Sequence, residues 1–208
     1  MTQPLTRVRA HLRAHFHRAG IDTEPDIASV TFVGAEPVDV LRFRPADDGV
    51  GGVGGVSHYV SVGCSRHPMV DPTAVLVDND RGPRAEVVLR LRDSGSVTGL
   101  ARSLAIVAAS PAVEGVVLTP DALVDLGTPL WARSSGRVPF TAVLLGHSDI
   151  ADLSLDPPYD PVRFLSVTPI TATEAAWVRL KGADAMRDAW QSDGVDVMDP
   201  KRPAAQPN

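Results

Sequence analysis

Residues 85–92 read Ala-Glu-Val-Val-Leu-Arg-Leu-Arg, and this stretch decides the fold class. Its odd-numbered positions are all apolar, whereas its even-numbered positions include Glu86, Val88 and Arg90. Because successive side chains of a β-strand point to opposite sides of the sheet, this alternation predicts a strand with one buried face and one mostly solvated face.

The chain on either side of this strand mixes strand-like and helix-like segments. Short runs rich in β-branched and aromatic residues predict strands, and apolar residues at helical spacing predict helices. Because several strands follow one another without an intervening helix, we expect an α/β (α+β) fold with a mixed, largely antiparallel sheet packed with helices. The predicted strands are 27–33, 38–44, 58–62, 116–118, 140–145, 162–167 and 195–198, and the predicted helices are 5–19, 98–109, 171–180 and 183–190.

Two local signals predict where helices begin and end. Thr171 and Glu174 have the Thr-x-x-Glu spacing of a capping box, in which each side chain bonds the other residue's backbone amide. This pair predicts a helix that starts at position 171. Ser110 and Pro111 predict the end of the helix that starts at Thr98, because proline lacks a backbone amide hydrogen.

The length of 208 residues suits one large domain or two small ones. We find no internal repeat and no clear linker, so a single domain over residues 1–198 is expected. The last ten residues, DPKRPAAQPN at 199–208, are polar and rich in proline, with no core-forming side chain larger than alanine. This composition predicts a disordered C-terminal tail.

Composition narrows the classes of partner. The formal net charge of −5 argues against a nucleic-acid binder, which needs a basic face for the phosphates. No apolar run approaches the ~20 residues required to cross a bilayer, so no membrane partner is expected. The single cysteine, Cys64, cannot form an internal disulfide, which favours a reducing, cytoplasmic compartment. Arginine greatly outnumbers lysine, a skew typical of GC-rich bacterial genomes.

Two motifs resemble cofactor or metal sites without their necessary context. Gly49, Gly51 and Gly54 match G-x-G-x-x-G, but a strand follows them where a dinucleotide site needs a helix N-terminus. His11 and His15 have the spacing of two metal ligands on a helix, but the acid of a metalloprotease motif is absent. We therefore expect no cofactor and no metal.

Cys64 and His67 are the residues that an enzyme would use. A cysteine nucleophile needs a base that converts it to the thiolate, and a nearby imidazole can serve. The sequence identifies neither an orienting third group nor an oxyanion hole. We expect no enzyme and no catalytic residue, with a hydrolase using this pair as the alternative.

The segment 147–160, HSDIADLSLDPPYD, is acidic and contains no lysine or arginine. Such a segment could meet a basic partner and steer its approach. A solvated loop without a binding role remains the alternative. The candidate partner-binding residues are Asp149, Asp152, Asp156, Tyr159 and Asp160.

Several stretches resemble the suppressor-of-fused domain family. They are HYVSVGCS at 58–65, AEVVLRL at 85–91, LGTPLW at 126–131 with the strand at 140–145, and FLSVTPITATE at 164–174. Their order and spacing cover about residues 57–190. The positions that carry the family motifs are His58, Tyr59, Gly63, Ser65, Glu86 and Trp131.

The resemblance implies an α/β domain around a mixed sheet that binds protein and has no family catalytic residue. Animal members of that family bind a zinc-finger transcription factor with the help of a second, C-terminal domain, for which this chain has no room. Bacterial members commonly stand alone, and some are proposed to be immunity proteins that neutralise toxins. The hypothesis is therefore a cytoplasmic, bacterial, non-enzymatic protein-binding module whose partner is another protein, such as a basic toxin domain. A structural or oligomerising subunit is a further alternative, and whether the chain forms a homo-oligomer stays open.

Overall fold

A computed structural model describes residues 3–45, 55–70, 73, 78–92, 97–132 and 139–205. Most of the glycine-rich loop at 49–55 and the apolar run at 74–77 lie outside the described residues. The elements are helices α1 (Gln3–Arg18), α2 (Leu100–Glu114), α3 (Ala172–Lys181) and α4 (Ala183–Ser192), and strands β1 (Asp26–Val30), β2 (Val38–Phe43), β3 (Val56–Val62), β4 (Arg84–Arg92), β5 (Leu123–Asp125), β6 (Phe140–His147) and β7 (Val162–Thr171).

The described strands form one sheet in the order β1-β2-β3-β4-β7-β6-β5. Strand β4 pairs with β7 in parallel, and the other five pairings are antiparallel. The expectation of a mixed, largely antiparallel sheet with helices packed on it is confirmed. Strand β4 lies at the centre, where the antiparallel meander β1–β4 meets the C-terminal half of the sheet.

Helices cover both faces of this sheet. Helix α2 packs on one face, against Val87 and Leu89 of β4. Helix α1 packs on the other face in a cluster that contains Val88, and α3 and α4 pack beside it over β6. The prediction that the second face of β4 is mostly solvated holds for Arg90 and Arg92, which are exposed, but not for the first half of the strand. There Val88 packs in the cluster of α1, and Glu86 is buried under the turn after β3.

Helix α2 continues through Pro111 and ends at Glu114, so the predicted end at Ser110 is wrong. Pro111 has no amide hydrogen for the carbonyl of Val107, one helical turn earlier. The hydroxyl of Ser110 donates to that carbonyl at 2.8 Å and replaces the missing backbone bond. The helix then ends normally at Gly115, which has a left-handed conformation.

Two short predicted strands, 116–118 and 195–198, are loops. The short strand β5 forms slightly later than the first of them, and the sequence did not predict it. Near the second, the backbone amide of Arg92 donates to the carbonyl of Met198 at 2.9 Å, which extends the end of β4 by one isolated bond. Short apolar runs do not distinguish strands from buried loops by their periodicity.

The C-terminal segment packs against the domain as far as the structure describes it. Arg202 and Ala205 are buried, so the expected disorder does not hold for 199–205, and residues 206–208 lie outside the described range. The cause is the buried carboxylate of Glu174, to which Arg202 binds. The capping box of Thr171 and Glu174 is confirmed.

Within the described residues, no helix is long and apolar enough to span a membrane.

Candidate protein-binding surface

The family-motif residues of β3 and β4 meet around the carboxylate of Glu86, which is completely buried. Its Oε1 atom accepts hydrogen bonds from the backbone amides of Gly63 at 2.9 Å and Ser65 at 3.0 Å, and from the Ser65 hydroxyl at 2.6 Å. Its Oε2 atom accepts from the hydroxyl of Ser61. Four donors thus surround one carboxylate, and the bonds tie the turn after β3 to the centre of the sheet.

Gly63 makes this arrangement possible. Its φ of 154° is one that residues with a side chain rarely adopt, and a Cβ there would lie 3.1 Å from the Cα of Val38. Burial raises the pKa of Glu86 above its ordinary value, and the hydrogen bonds from Gly63, Ser61 and Ser65 offset part of that rise. No arginine or lysine forms an ion pair with this carboxylate in the described residues.

Arg84, two residues before Glu86 on β4, holds the same turn from the other side. The side chain is 1% exposed, and it donates to the carbonyls of Ser65 at 2.8 Å and Arg66 at 2.9 Å. Its guanidinium lies 5.1 Å from the ring centre of Tyr159, which is half-buried. Ser65 is thus held through its amide and hydroxyl by Glu86 and through its carbonyl by Arg84, so these motif positions stabilise the fold.

A second buried carboxylate, Glu174, lies at the start of α3. Arg202 binds it through two nitrogens at 2.7 and 3.1 Å, and the indole of Trp190 donates to it at 3.0 Å. The backbone amides of Thr171 and Ala205 complete the site. Burial raises the pKa of Glu174, but the Arg202 pair and the bond from Thr171 outweigh burial and hold the pKa below its ordinary value.

The acidic segment 147–160 has counter-charges that the sequence did not reveal. Asp149 lies 3.3 Å from the guanidinium of Arg90, and Asp156 forms a 2.8 Å ion pair with Arg7 of α1. Asp160 accepts a hydrogen bond from the backbone amide of Gly82 at 2.6 Å, and Asp152 is exposed. The segment itself contains no lysine or arginine, so its basic partners come from residues distant in sequence that fold against it.

The carboxylates of this segment nevertheless stay accessible. The side chains of Asp149 and Asp156 are 61% and 67% exposed in their ion pairs. Tyr159 is half-buried under Arg84 and is thus a poor aromatic anchor. Exposed ion pairs contribute only about 0–1 kcal/mol, so a partner could exchange them for its own basic groups at low cost.

Cys64 and His67 do not form a nucleophile and base in the described structure. Cys64 packs against the cluster under α2, and burial together with the carboxylate of Glu86 raises the pKa of its thiol well above the ordinary value. His67 is exposed, and its Nε2 lies 2.8 Å from a carboxylate oxygen of Glu36. A reactive cysteine needs a lowered pKa, so the environment of this thiol opposes nucleophilic chemistry.

The remaining motif positions have structural contacts. His58 is half-buried with its ring 5.0 Å from that of Phe16, and burial lowers its pKa. Tyr59 is buried, and Trp131 lies 5.2 Å from the ring of Phe140. Around His11 and His15, as elsewhere in the described residues, no three potential ligands are grouped so as to hold a metal ion.

A cleft of about 360 Å³ beside Trp131 was not predicted from the sequence. It lies between the first turn of α2 and the loop at 128–132, on the face of the sheet opposite α1. Arg102 and Ser103 of α2 line it. Only the family-motif position Trp131 pointed to this region, because a cleft that is formed by two distant segments leaves no spacing pattern in the sequence.

Solved structures with the same arrangement of sheet and helices define the class of fold. A crystal structure of a SUFU (suppressor of fused protein) homolog from Neisseria gonorrhoeae aligns with a TM-score of 0.62 and 17% identity, over 96% of this chain and 94% of that one. The Sufu-Fu complex crystal structure aligns with a TM-score of 0.66 and 14% identity, over 98% of this chain and 90% of that one. The crystal structure of Drosophila Suppressor of Fused aligns with a TM-score of 0.64 and 15% identity, over 96% of this chain and 50% of that one. The fold is thus an α/β fold of the suppressor-of-fused type.

A comparison of the sequence with family profiles identifies the family. The profile described as suppressor of fused protein (SUFU) matches residues 34–203. Because that match spans most of the chain, the protein belongs to the suppressor of fused family. Among curated proteins, none matches the chain.

Proposed function

We propose that this chain is a non-enzymatic module that binds another protein. The observation that carries the proposal is the family match over residues 34–203, because one structure of the same fold is that of a Sufu-Fu complex, in which the relative binds a protein. We treat residues 1–198 as one binding domain, to which the packed segment 199–205 adds a structural arginine.

The chemistry of the buried polar groups supports binding over catalysis. Glu86 and Glu174 accept hydrogen bonds from groups of their own fold, and Arg84 donates to backbone carbonyls. Cys64 is only partly exposed and burial raises the pKa of its thiol, and His67 bonds Glu36. None of these groups lines the cleft that residues 98–103 and 128–132 form, whereas general acid–base catalysis needs groups that converge on one substrate site.

We further propose that the chain acts in the bacterial cytoplasm as an immunity protein, and that its partner is a basic toxin domain. The exposed carboxylates of Asp149, Asp152 and Asp156 would take part in that contact and steer the approach of the partner. Tyr159 and Asp160, which are engaged with Arg84 and Gly82, would hold the segment in position. The bacterial relative of the same fold and the low lysine content support a bacterial source.

The test is capture of the partner from the native cell, followed by reconstitution from the two purified proteins. Light scattering should show a stable one-to-one complex, and expression of the captured protein alone should stop growth of a host that survives when both are expressed. A chain that remains alone, or a captured protein without toxicity, would overturn the binding or the immunity proposal respectively.

A charge-matched pair of variants tests the acidic segment. Neutralising Asp152→Asn and Asp156→Asn together should slow association with the partner, most strongly at low salt. The control neutralises Asp188→Asn and Asp193→Asn, which are exposed on or beside α4. Equal association rates for both double variants would exclude the acidic segment from the interface. Turnover of esters or peptides that alkylation of Cys64 abolishes would instead support the hydrolase.

A further inference from the structure

The cleft beside Trp131 combines an apolar wall with unused polar donors. Trp131, Pro129 and Ile106 form the apolar part of its lining, and Arg102 and Ser103 contribute the polar part. A backbone hydrogen bond from Ala132 to the carbonyl of Thr98, 2.9 Å long, joins the two segments that border it. This backbone bond ties together the two segments that form the walls of the cleft.

The guanidinium of Arg102 has no partner in the described structure. It is exposed at the first turn of α2, and no carboxylate or carbonyl accepts a bond from it. Arg7, Arg13 and Arg90, by contrast, all form ion pairs on the surface. Arg102 thus supplies a positive charge and planar donors that the fold itself does not use.

Ser103 supplies the second, independent observation. Its side chain is only 9% exposed, yet its hydroxyl has no hydrogen-bond partner among the described residues, while its backbone amide donates to the carbonyl of Gly99 at 3.1 Å. The hydroxyl oxygen itself stays accessible from the cleft, since the fully buried side-chain polar atoms without a partner in the described residues are Arg84 Nε, Trp177 Nε1 and Arg202 Nε. It is therefore available to bond a ligand in the cleft that it lines.

The N-terminal end of α2 adds a positive electrostatic potential to the cleft, of the same sign as the charge of Arg102. Gly99 is the N-cap, no side chain caps the helix, and its first turn holds no acidic residue. The N-terminal end of a helix carries a partial positive charge, so it favours an anion. The guanidinium of Arg102, the hydroxyl of Ser103 and the helix end therefore favour one negatively charged group.

We propose that this cleft binds an acidic peptide segment of a partner protein. A carboxylate of the segment accepts hydrogen bonds from Arg102 and Ser103, and a neighbouring bulky apolar side chain packs on Trp131. Charge complementarity selects the carboxylate, and the apolar wall selects a peptide over a free anion. The cleft volume is near the lower end of the ~300–1,000 Å³ of ligand pockets, which suits a few side chains.

This site goes beyond the proposed function, because it lies on the other face of the sheet from the acidic segment and prefers the opposite charge. The test uses the whole chain with the capped peptide acetyl-Leu-Asp-Leu-amide, followed by two-dimensional amide NMR. Saturable shifts are expected at residues 98–103 and at the indole of Trp131. The matched peptide acetyl-Leu-Asn-Leu-amide should bind about tenfold more weakly, since a charge-assisted hydrogen bond is lost.

Variants assign the effect to the cleft. Arg102→Gln should weaken binding of the aspartyl peptide about tenfold and Ser103→Ala about threefold, with spectra that otherwise remain those of the folded chain. Arg163→Gln, which removes an exposed arginine of β7, should leave the affinity unchanged. Sodium acetate alone should produce no saturable shift.

Three results would overturn the proposal. They are the absence of shifts at 98–103, equal affinity for the aspartyl and asparaginyl peptides, and equal shifts with acetate alone, which would indicate a free-anion site. Each leaves the capture experiment on the native partner unaffected, so a failure here is distinct from a failure of the proposed function.

Discussion

Glu86 and Glu174 are both completely buried, yet their environments differ in one respect. Glu86 is held by hydroxyl and amide donors of β3 and the turn that follows it, whereas Glu174 is bound by the guanidinium of Arg202 from a distant segment. The pKa of Glu86 is therefore raised by burial, and the pKa of Glu174 is lowered by its ion pair. Burial of a carboxylate alone thus indicates neither its charge nor a catalytic role; the donors around it decide both.

The largest expected effect comes from removing the cation of the second site. Arg202→Ala leaves Glu174 buried and unpaired, which should lower the free energy of unfolding by about 3–5 kcal/mol. Urea denaturation measures the change. Replacing both members, Glu174→Met with Arg202→Met, removes the unpaired charge but leaves the donors of Trp190, Thr171 and Ala205 without an acceptor, so it should recover only part of the loss. A loss below about 1 kcal/mol for Arg202→Ala would show that the ion pair does not hold the C-terminal segment.

A smaller loss is expected at the first site. Glu86→Gln keeps the shape of the side chain but turns an amide nitrogen toward donors from Ser61, Gly63 and Ser65. At least one buried donor then loses its acceptor, which should lower the free energy of unfolding by about 1–3 kcal/mol. The control Glu36→Gln changes an exposed carboxylate near the same turn. Equal losses for both variants would contradict the assignment of Glu86 as the centre of that turn.

The two carboxylates should also respond to pH in opposite directions. The folded pKa of Glu174 lies below the ordinary 4.5, so its contribution to stability is present above that pH and is lost as the pH falls toward the folded value. The folded pKa of Glu86 lies above 4.5, so the folded chain holds this proton to a higher pH than the unfolded chain does, and stability declines as the pH rises from about 4.5 through the folded value.

Unfolding measured over a pH series separates these contributions. The advantage of the wild type over Glu174→Gln should shrink as the pH falls below about 4.5. The free energy of unfolding of the wild type relative to that of Glu86→Gln should instead decrease as the pH rises above about 4.5. If both differences changed in the same direction, the contrast between the two sites would be refuted.

The smallest effect is expected on the surface. Asp149→Asn breaks the exposed pair with Arg90 and should change the free energy of unfolding by less than about 1 kcal/mol, with the change vanishing at high salt. A larger, salt-independent loss would mean that the acidic segment is a structural element like Glu174.

The sheet type and most helices and strands could be predicted from the sequence, because the spacing of apolar residues within one element reflects which of its side chains are buried. The sequence also predicted the pair Thr171 and Glu174, whose residues are three positions apart. It could not predict Arg202 as their partner or Arg7 as the partner of Asp156, because such pairs form only after distant segments pack together. For the same reason Glu86 was assigned to a solvated face: the strand pattern does not show that the turn at Gly63 and Ser65 folds over it.

The candidate sites show the same distinction between local patterns, which can be recognised in the sequence, and contacts between distant segments, which cannot. The motif positions Gly63, Ser65 and Glu86 were identified from the sequence, but their role in one hydrogen-bond network required the fold. The cleft with Arg102 and Ser103 had no sequence signal, since neither residue belongs to a recognisable spacing.

The central claim is that the buried polar groups maintain the fold while the exposed surface binds a protein. Hydrogen–deuterium exchange of the chain with and without its captured partner tests this most directly. Slower exchange in the complex should appear on exposed segments, including 149–156, and exchange at residues 61–65 and 84–88 should remain unchanged. Protection confined to the turn around Cys64, or no protection anywhere in the presence of the partner, would contradict the account.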